Sequence, residues 1–188
     1  MEVGHPVAES PEASGVGFLF RSLHSRNYRL FFIGQGVSLI GTWMQQAAMS
    51  WLVYRITGST LLLGVVAFSS QIPTLVLGPV AGVVADRWER KRILIWTQCL
   101  SMVQALILAA VVLGGAVRTG HILALSVFIG IVNAFDIPVR QSFVVQMVER
   151  KEDLGNAIAL NSAMFNSARF IGPSIGGILI STLGEGIC

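Results

Sequence analysis

Apolar residues fill five long stretches of the chain, and charged or turn-forming residues separate them. A helix that crosses a membrane needs about 20 mostly apolar residues. Three stretches reach this length without a charged residue, namely 30–54, 60–85 and 93–117. Two more, 122–147 and 155–183, are apolar but contain Asp136, Arg140 and Arg169. The alternation with period two that is typical of barrel strands is absent, so the pattern predicts five membrane-spanning helices.

Composition supports an all-α membrane protein. Of the 188 residues, 53% are hydrophobic and 12% are charged, whereas a soluble domain carries about 25% charged residues. These values exclude a soluble globular domain and a disordered chain. Two cysteines, Cys99 and Cys188, are too few for a disulfide scaffold. We expect a disordered cytoplasmic tail over 1–20, a multi-pass helical bundle over 21–183, and a short C-terminal end over 184–188.

The basic residues predict the orientation in the membrane. Nine of them fall on one side of the predicted spans and two, Arg55 and Arg118, on the other. The larger group consists of Arg21, Arg26, Arg29, Arg87, Arg90, Lys91, Arg92, Arg150 and Lys151. Because short cytoplasmic loops are enriched in Lys and Arg, we expect the N-terminus in the cytoplasm and the protein in the plasma (inner) membrane. Membrane topology thus accounts for the net charge of +3 without a nucleic-acid partner.

Polar residues form stripes along single helix faces. In the first stretch Gln35, Ser38, Thr42, Gln45 and Met49 recur at steps of three and four. Similar stripes are Thr97, Ser101 and Gln104 in the third stretch, Asn133, Asp136 and Arg140 in the fourth, and a small or polar face with Asn166 and Arg169 in the fifth. Each stripe alone could serve helix packing, but four in one chain favour a shared polar cavity. The substrate-cavity candidates are Gln35, Thr42, Gln45, Asn166 and Arg169.

Arg169 is expected near the middle of the fifth span, where a charge costs about 2.5–3.5 kcal/mol. Either it binds anionic groups of a substrate, or it is compensated by a buried partner or by helix carbonyls.

A G-P-x-x-G motif occurs twice. Gly78, Pro79 and Gly82 form it in the second stretch, and Gly172, Pro173 and Gly176 form it in the fifth, followed by Gly177. Two copies at opposite depths, three helices apart, are what an inverted repeat of three helices would give, although chance could also produce two small-residue contact motifs. We expect the residues of both motifs to allow close packing of helices, namely Gly78, Pro79, Gly172, Pro173, Gly176 and Gly177.

The sequence contains none of the H-E-x-x-H, G-x-S-x-G, P-loop or Cys/His patterns that indicate common enzymes and metal sites. We therefore expect no enzymatic activity, no cofactor and no metal.

The loop after the second stretch reads Gly82-x-x-x-Asp86-Arg87-x-x-Arg90-Lys91. It resembles the signature loop of the major facilitator superfamily, with Glu89 where the usual pattern has glycine. The second glycine motif resembles the antiporter motif of that superfamily. The segments Asp136-Ile-Pro138-Val-Arg140-Gln141, Asn156-Ala-Ile-Ala and Ala168-Arg169 resemble its bacterial exporter branch, which includes the enterobactin exporter.

The resemblance covers residues 21–183 and implies part of the N-terminal half of a twelve-span fold. It implies a cytoplasmic gate made of Gly82, Asp86, Arg87, Arg90, Lys91, Asp136 and Arg140. In this network Asp136 would contact the loop, whereas the alternative is a local Asp136–Arg140 pair.

The function implied is ion-coupled efflux of a small molecule by alternating access. Its partners would be the lipid bilayer, the substrate, a coupling proton, and a C-terminal half or partner chain. The alternative is a non-transporting fragment or a helical membrane subunit that acts by association.

Overall fold

The computed structural model describes residues 21–148 and 153–184, so the predictions for the tail 1–20, for Arg150 and Lys151, and for 185–188 lie outside the described residues. Within these ranges the chain forms helices and contains no strand, which confirms the all-α prediction. A short 3-10 turn, Arg21–His24, precedes five long helices. They are α1 (Arg26–Thr57), α2 (Thr60–Arg87), α3 (Arg90–Leu113), α4 (Thr119–Met147) and α5 (Leu154–Leu183).

Three of the described helices, α2, α3 and α4, are long and apolar enough to cross a membrane. The helices α1 and α5 contain 32 and 30 residues, which is sufficient length, but their glutamine, asparagine and serine residues lower the local hydropathy. That α1 and α5 also span the membrane stays a prediction.

The ends of the helices follow from local sequence. Gly58 ends α1 in the left-handed conformation (φ 60°) and its N–H bonds the Tyr54 carbonyl. The hydroxyl of Ser59 then accepts the Leu62 N–H at 3.3 Å and caps α2. The third apolar stretch reaches residue 117, but α3 ends at Leu113 because Gly114 follows it and Gly115 takes a φ of 65°. Because residues 58 and 59 are the whole connection between α1 and α2, these two helices are antiparallel neighbours.

Packing between the helices is interleaved along the chain. The most extensive interface joins α2 to α4, and the next joins α1 to α5, while α3 packs mainly on α4. In an inverted repeat of three helices, α1 corresponds to α4 and α2 corresponds to α5. Under this correspondence the α2–α4 interface is equivalent to the α5–α1 interface. This is the relationship expected for the predicted inverted repeat.

Apolar clusters close the two ends of the bundle. Leu52, Val53, Val66 and Ile122 pack where α1 ends and where α2 and α4 begin. Tyr28, Val144 and Ala157 pack where α1 and α5 begin and where α4 ends. Many large apolar side chains point outward instead, for example Leu75 and Phe170, which are 81% and 75% exposed. An outer surface of this kind suits a lipid environment.

Hydrogen bonds tie the start of α1 to the start of α5. The hydroxyl of Ser22 donates to Oδ1 of Asn156 at 2.7 Å, and the Tyr28 hydroxyl donates to the Ala157 carbonyl at 3.0 Å. Tyr28 is only 1% exposed. These bonds fix the α1–α5 interface at the end of the bundle that we expect to face the cytoplasm.

Candidate functional site

A pocket of about 270 Å³ lies inside the bundle, with walls from α1, α2, α3 and α4 and with Phe165 of α5. Trp43 and Phe165 contribute aromatic surface, and their rings meet edge-to-face with centroids 5.6 Å apart. The other walls carry many amides, hydroxyls and charged groups, including Gln35, Thr42, Gln45, Gln98, Asn133 and Asp136. The predicted polar stripes on α1 and α4 line this cavity, whereas of the α3 stripe Ser101 lines it and Thr97 and Gln104 do not.

A charged pair on α4 forms part of the pocket wall. The guanidinium of Arg140 donates to Oδ2 of Asp136 at 2.5 Å, one helical turn away, and the two side chains are 13% and 6% exposed. The other carboxylate oxygen of Asp136 accepts the Thr97 hydroxyl at 2.8 Å and the amide of Gln98 at 3.5 Å. A buried charge requires a partner and hydrogen bonds, and Asp136 has both. The local pair that was the alternative for Asp136 is thus present.

The pocket residues form a hydrogen-bonded chain across three helices. Ser38 on α1 donates its hydroxyl to Oε1 of Gln98 on α3 at 2.9 Å, and Gln98 in turn reaches Asp136 on α4. Sequence reasoning missed Gln98, because it lies one residue beyond Thr97 and so falls off the α3 stripe. The chain connects Asp136 on α4 to α1 through polar contacts.

A second polar link joins α1 and α3. The amide of Gln45 donates to Oε1 of Gln104 at 2.8 Å, and Gln104 is completely buried. Its own amide nitrogen has no hydrogen-bond partner among the described residues. Gln45 and Gln104 both belong to predicted stripes, and the structure brings them together.

The five substrate-cavity candidates divide into two groups. Gln35, Thr42 and Gln45 line the pocket. Asn166 and Arg169 are outside it and exposed. The reason lies in α5, which turns its small and buried residues toward α1 and so turns these two side chains away from the cavity.

Asn166 and Arg169 have different contacts. The amide of Asn166 donates to the Ser162 carbonyl at 2.8 Å on its own helix. The guanidinium carbon of Arg169 lies 5.5 Å from the centre of the Trp43 ring, within cation–π range. Arg169 thus contacts one aromatic wall of the pocket without lining the cavity itself.

The loop between α2 and α3 contains the predicted gate residues. Asp86 pairs with Arg90 at 3.9 Å, and the Asp86 side chain is 80% exposed. The Arg90 Nε also donates to the Ala85 carbonyl at 3.4 Å. Arg87 and Lys91 are exposed. The hydrogen bonds and the ion pair of Asp136 given above are with Arg140, Thr97 and Gln98, not with this loop. The contact of Asp136 with the loop stays a prediction.

Two glycines of the second glycine motif allow α5 to approach α1 closely. A Cβ at Gly172 would lie 2.6 Å from the Trp43 Cβ and 2.7 Å from the Ile40 carbonyl oxygen. A Cβ at Gly176 would lie 3.1 Å from the Met44 side chain. Both values are at or below the limit of normal contact, so these two positions require glycine or favour it strongly.

The remaining predicted packing residues are not used in this way. A Cβ at Gly78 or Gly177 would meet nothing within 4 Å, and the same is true of Gly82, which was predicted for the gate. Pro79 is exposed, and Pro173 is half-buried inside α5. The close approach of α2 and α4 depends instead on Gly130 of α4, where a Cβ would lie 2.4 Å from the Ser70 carbonyl oxygen. Sequence reasoning missed Gly130, because it belongs to no motif.

The described residues contain no group of three or more His, Cys, Asp or Glu side chains that could hold a metal ion. The side chains that line the pocket offer hydrogen bonding by amides and hydroxyls, contact with aromatic rings, and one charged pair.

Comparison with known proteins places the chain in a family. The family described as "Transmembrane secretion effector" matches residues 19–188. The Staphyloferrin A transporter of Staphylococcus aureus is 27% identical over 81% of this chain and 38% of its own length. The Multidrug efflux pump Tap of Mycolicibacterium fortuitum is 28% identical over 80% of this chain and 36% of its own length. The Macrolide efflux protein A of Streptococcus pyogenes is 24% identical over 82% of this chain and 39% of its own length.

The chain therefore spans less than two fifths of these relatives. No solved structure matches it. The narrower likeness to the enterobactin exporter is not confirmed by these relatives, whereas the resemblance to the superfamily is confirmed. The apolar helices and the family match together identify a membrane protein. The chain belongs to the transmembrane secretion effector family of major facilitator superfamily transporters.

Proposed function

We propose that this chain supplies part of the solute pathway of an efflux transporter that works by alternating access. The observation that carries the proposal is the polar pocket enclosed by apolar helices, with the Asp136–Arg140 pair in its wall. Amides, hydroxyls and charges are costly inside a membrane bundle and mark solute or ion pathways. The relatives whose names state transport or efflux support the same reading.

The proposed arrangement in the membrane has five spans, α1 to α5, within residues 21–183. The N-terminus is cytoplasmic, and the loop after α2 lies on the same side. Its exposed basic residues, among them Arg87 and Lys91, support this orientation. The membrane is the bacterial plasma membrane.

The substrate is a small molecule that enters the pocket between α1 and α4. Gln35, Thr42 and Gln45 offer hydrogen bonds from one wall, and Trp43 offers an aromatic surface. Such a mixture suits amphipathic organic molecules. Rocking of this half against a second half around the pocket would expose it to each side in turn.

Ion coupling is proposed to act through Asp136. Its carboxylate is held by Arg140, Thr97 and Gln98. Protonation of Asp136 would weaken the pair with Arg140 and free a guanidinium for the substrate or for movement of α4. The hydrogen-bonded chain through Gln98 to Ser38 would carry that change to α1.

The gate proposal concerns the loop between α2 and α3. Asp86 and Arg90 form a loose pair at 3.9 Å in this conformation, with the Asp86 side chain 80% exposed and the Arg90 side chain 22% exposed. We propose that Arg87 and Arg90 engage acidic groups, Asp136 among them, in another state of the transport cycle. The exposure of Asp86 and Arg87 leaves both free to change partners.

The test is solute accumulation in cells that express the gene from which this chain derives. A labelled macrolide and labelled staphyloferrin A are the probes, since the names of two relatives mention them. We expect energised expressing cells to retain less of at least one probe than vector cells. A protonophore should remove the difference if a proton gradient drives efflux.

The variant Asp136→Asn should abolish the difference between expressing and vector cells. Arg92→Gln is the matched control, because Arg92 is 79% exposed and pairs with Glu89, which precedes α3. Equal retention of both probes by expressing and vector cells, at verified membrane expression, would favour a non-transporting membrane subunit.

A further inference from the structure

Arg169 is a cation in the middle of a membrane helix that has no acidic partner among the described residues. It follows the start of α5, Leu154, by 15 residues, which is about 22 Å along the helix. Elsewhere in the described chain Arg140 pairs with Asp136, Arg90 with Asp86, and Arg92 with Glu89. The contact of Arg169 is with the ring of Trp43 instead. A charge at this depth needs a compensating group in a cavity or on a neighbouring segment.

The geometry at Arg169 leaves its hydrogen-bond donors available. Its guanidinium carbon is 5.5 Å from the Trp43 ring centre, and a guanidinium so placed can keep the donors in its plane free. Two parallel N–H groups match the two oxygens of a carboxylate. The side chain is exposed, so a ligand can reach it.

Arg169 also lies next to the pocket. Phe165, one turn earlier on α5, lines the cavity and packs edge-to-face on Trp43. Trp43 therefore has the cavity on one side and Arg169 in cation–π contact. A molecule held by Arg169 at the rim would place its apolar part against Trp43 and Phe165.

The charged pair in the pocket compensates itself. Asp136 and Arg140 together contribute no net charge, and both are largely buried. The positive charge of Arg169, next to the pocket, then gives the pocket a preference for anions.

We infer that Arg169 and Trp43 form a binding site for the carboxylate of an organic anion that carries an apolar or aromatic body. The inference rests on the proposed function, because it assigns a substrate class to the same pocket. A carboxylate near Arg169 has two sources, a solute or an acidic side chain from a further segment of protein. The experiment separates the two.

The experiment measures binding to the full chain in lipid nanodiscs by the fluorescence of Trp43. Trp51, Trp88 and Trp96 are each at least half exposed, and replacing all three with Phe leaves Trp43 as the reporter. Benzoate is the probe, and benzamide is its neutral counterpart of the same shape. We expect saturable binding of benzoate that is roughly tenfold tighter than that of benzamide, the usual gain from charge-assisted hydrogen bonds.

The variant Arg169→Gln should lower benzoate affinity to that of benzamide, whereas Arg169→Lys should retain part of the preference because it keeps the charge but loses the planar fork. Arg118→Gln is the control, since Arg118 is exposed just before α4. Thermal unfolding of each variant verifies the fold.

Three results would overturn the inference: equal binding of benzoate and benzamide, a benzoate preference that survives in Arg169→Gln, or a preference removed by Arg140→Gln and not by Arg169→Gln. Absence of saturable benzoate binding would also overturn the inference, because a solute carboxylate would then not be the partner of Arg169. Because binding is measured without transport, failure of this site and failure of the efflux proposal give different results.

Discussion

The hydroxyl of Thr97 lies 2.8 Å from Oδ1 of Asp136, and this hydrogen bond joins α3 to α4 inside the bundle. Both residues are buried, at 5% and 4% exposure. Thr97 binds Oδ1 of the carboxylate, whereas Arg140 binds Oδ2. Thr97 therefore holds Asp136 in the orientation that presents it to the pocket.

Replacing Thr97 tests this role. Thr97→Val keeps the shape but removes the hydroxyl, so a buried carboxylate oxygen loses a donor, at a cost of about 1–3 kcal/mol. We expect a lower midpoint of thermal unfolding in detergent. Thr97→Ser keeps the hydroxyl and should lose less. Equal midpoints for Thr97→Val and the unchanged chain would mean that the bond contributes nothing to stability.

The Asp136–Arg140 pair should show strong coupling in a double-mutant cycle. Asp136→Asn and Arg140→Gln each leave one buried charge unpaired, which costs about 3–5 kcal/mol. The double variant leaves neither charge and should be more stable than either single variant. The free energy of unfolding of all four proteins gives the coupling energy. Additive losses in the double variant would contradict the pairing.

Replacing glycine with alanine at two nearby positions of α5 should change the stability of the protein by very different amounts. Gly172→Ala places a methyl group 2.6 Å from the Trp43 Cβ, and forcing α5 away from α1 should cost about 1–3 kcal/mol. Gly177→Ala meets nothing within 4 Å and is the matched control. Thermal unfolding of the two variants compares them directly. Similar losses in both would exclude a tight α1–α5 contact at Gly172.

The predicted orientation can be tested with alkaline phosphatase fusions, which are active only outside the cytoplasm. A fusion after Trp88, in the loop between α2 and α3, should be inactive. A fusion after Gly115, between α3 and α4, should be active. The segment that joins α2 to α3 carries Arg87, Arg90, Lys91 and Arg92, and short cytoplasmic loops are enriched in Lys and Arg. The reverse pattern of activity would place the N-terminus outside.

Much of the fold follows from the sequence. Runs of apolar residues predict five helices whose ranges overlap those of the structure, although α3 ends at Leu113 and not at residue 117. The predicted α1 and α4 stripes line one pocket in the structure, because the positions of side chains on a single helix follow from its period.

The arrangement between helices was harder to predict. The direction in which α5 faces depends on its contact with α1 through Gly172 and Gly176, and helical periodicity does not say which neighbour a face meets. The sequence therefore predicts Arg169 in the cavity, whereas in the structure Arg169 does not line the pocket. Gly130 carries no motif at all, yet it permits the closest approach of α4 to α2. Such contacts depend on shape complementarity across long sequence distances.

The interleaved pairing of helices has a consequence for how the protein is made. The partner of α1 is α5, and the contacts between Tyr28 and Ala157 span 129 positions of the chain. A ribosome therefore makes α1 long before α5 exists. Until the fifth helix has been made, the surface of α1 that receives Gly172 lacks its native partner. The α1–α5 interface can thus form only at the end of synthesis of this bundle, after the α2–α4 interface has become possible.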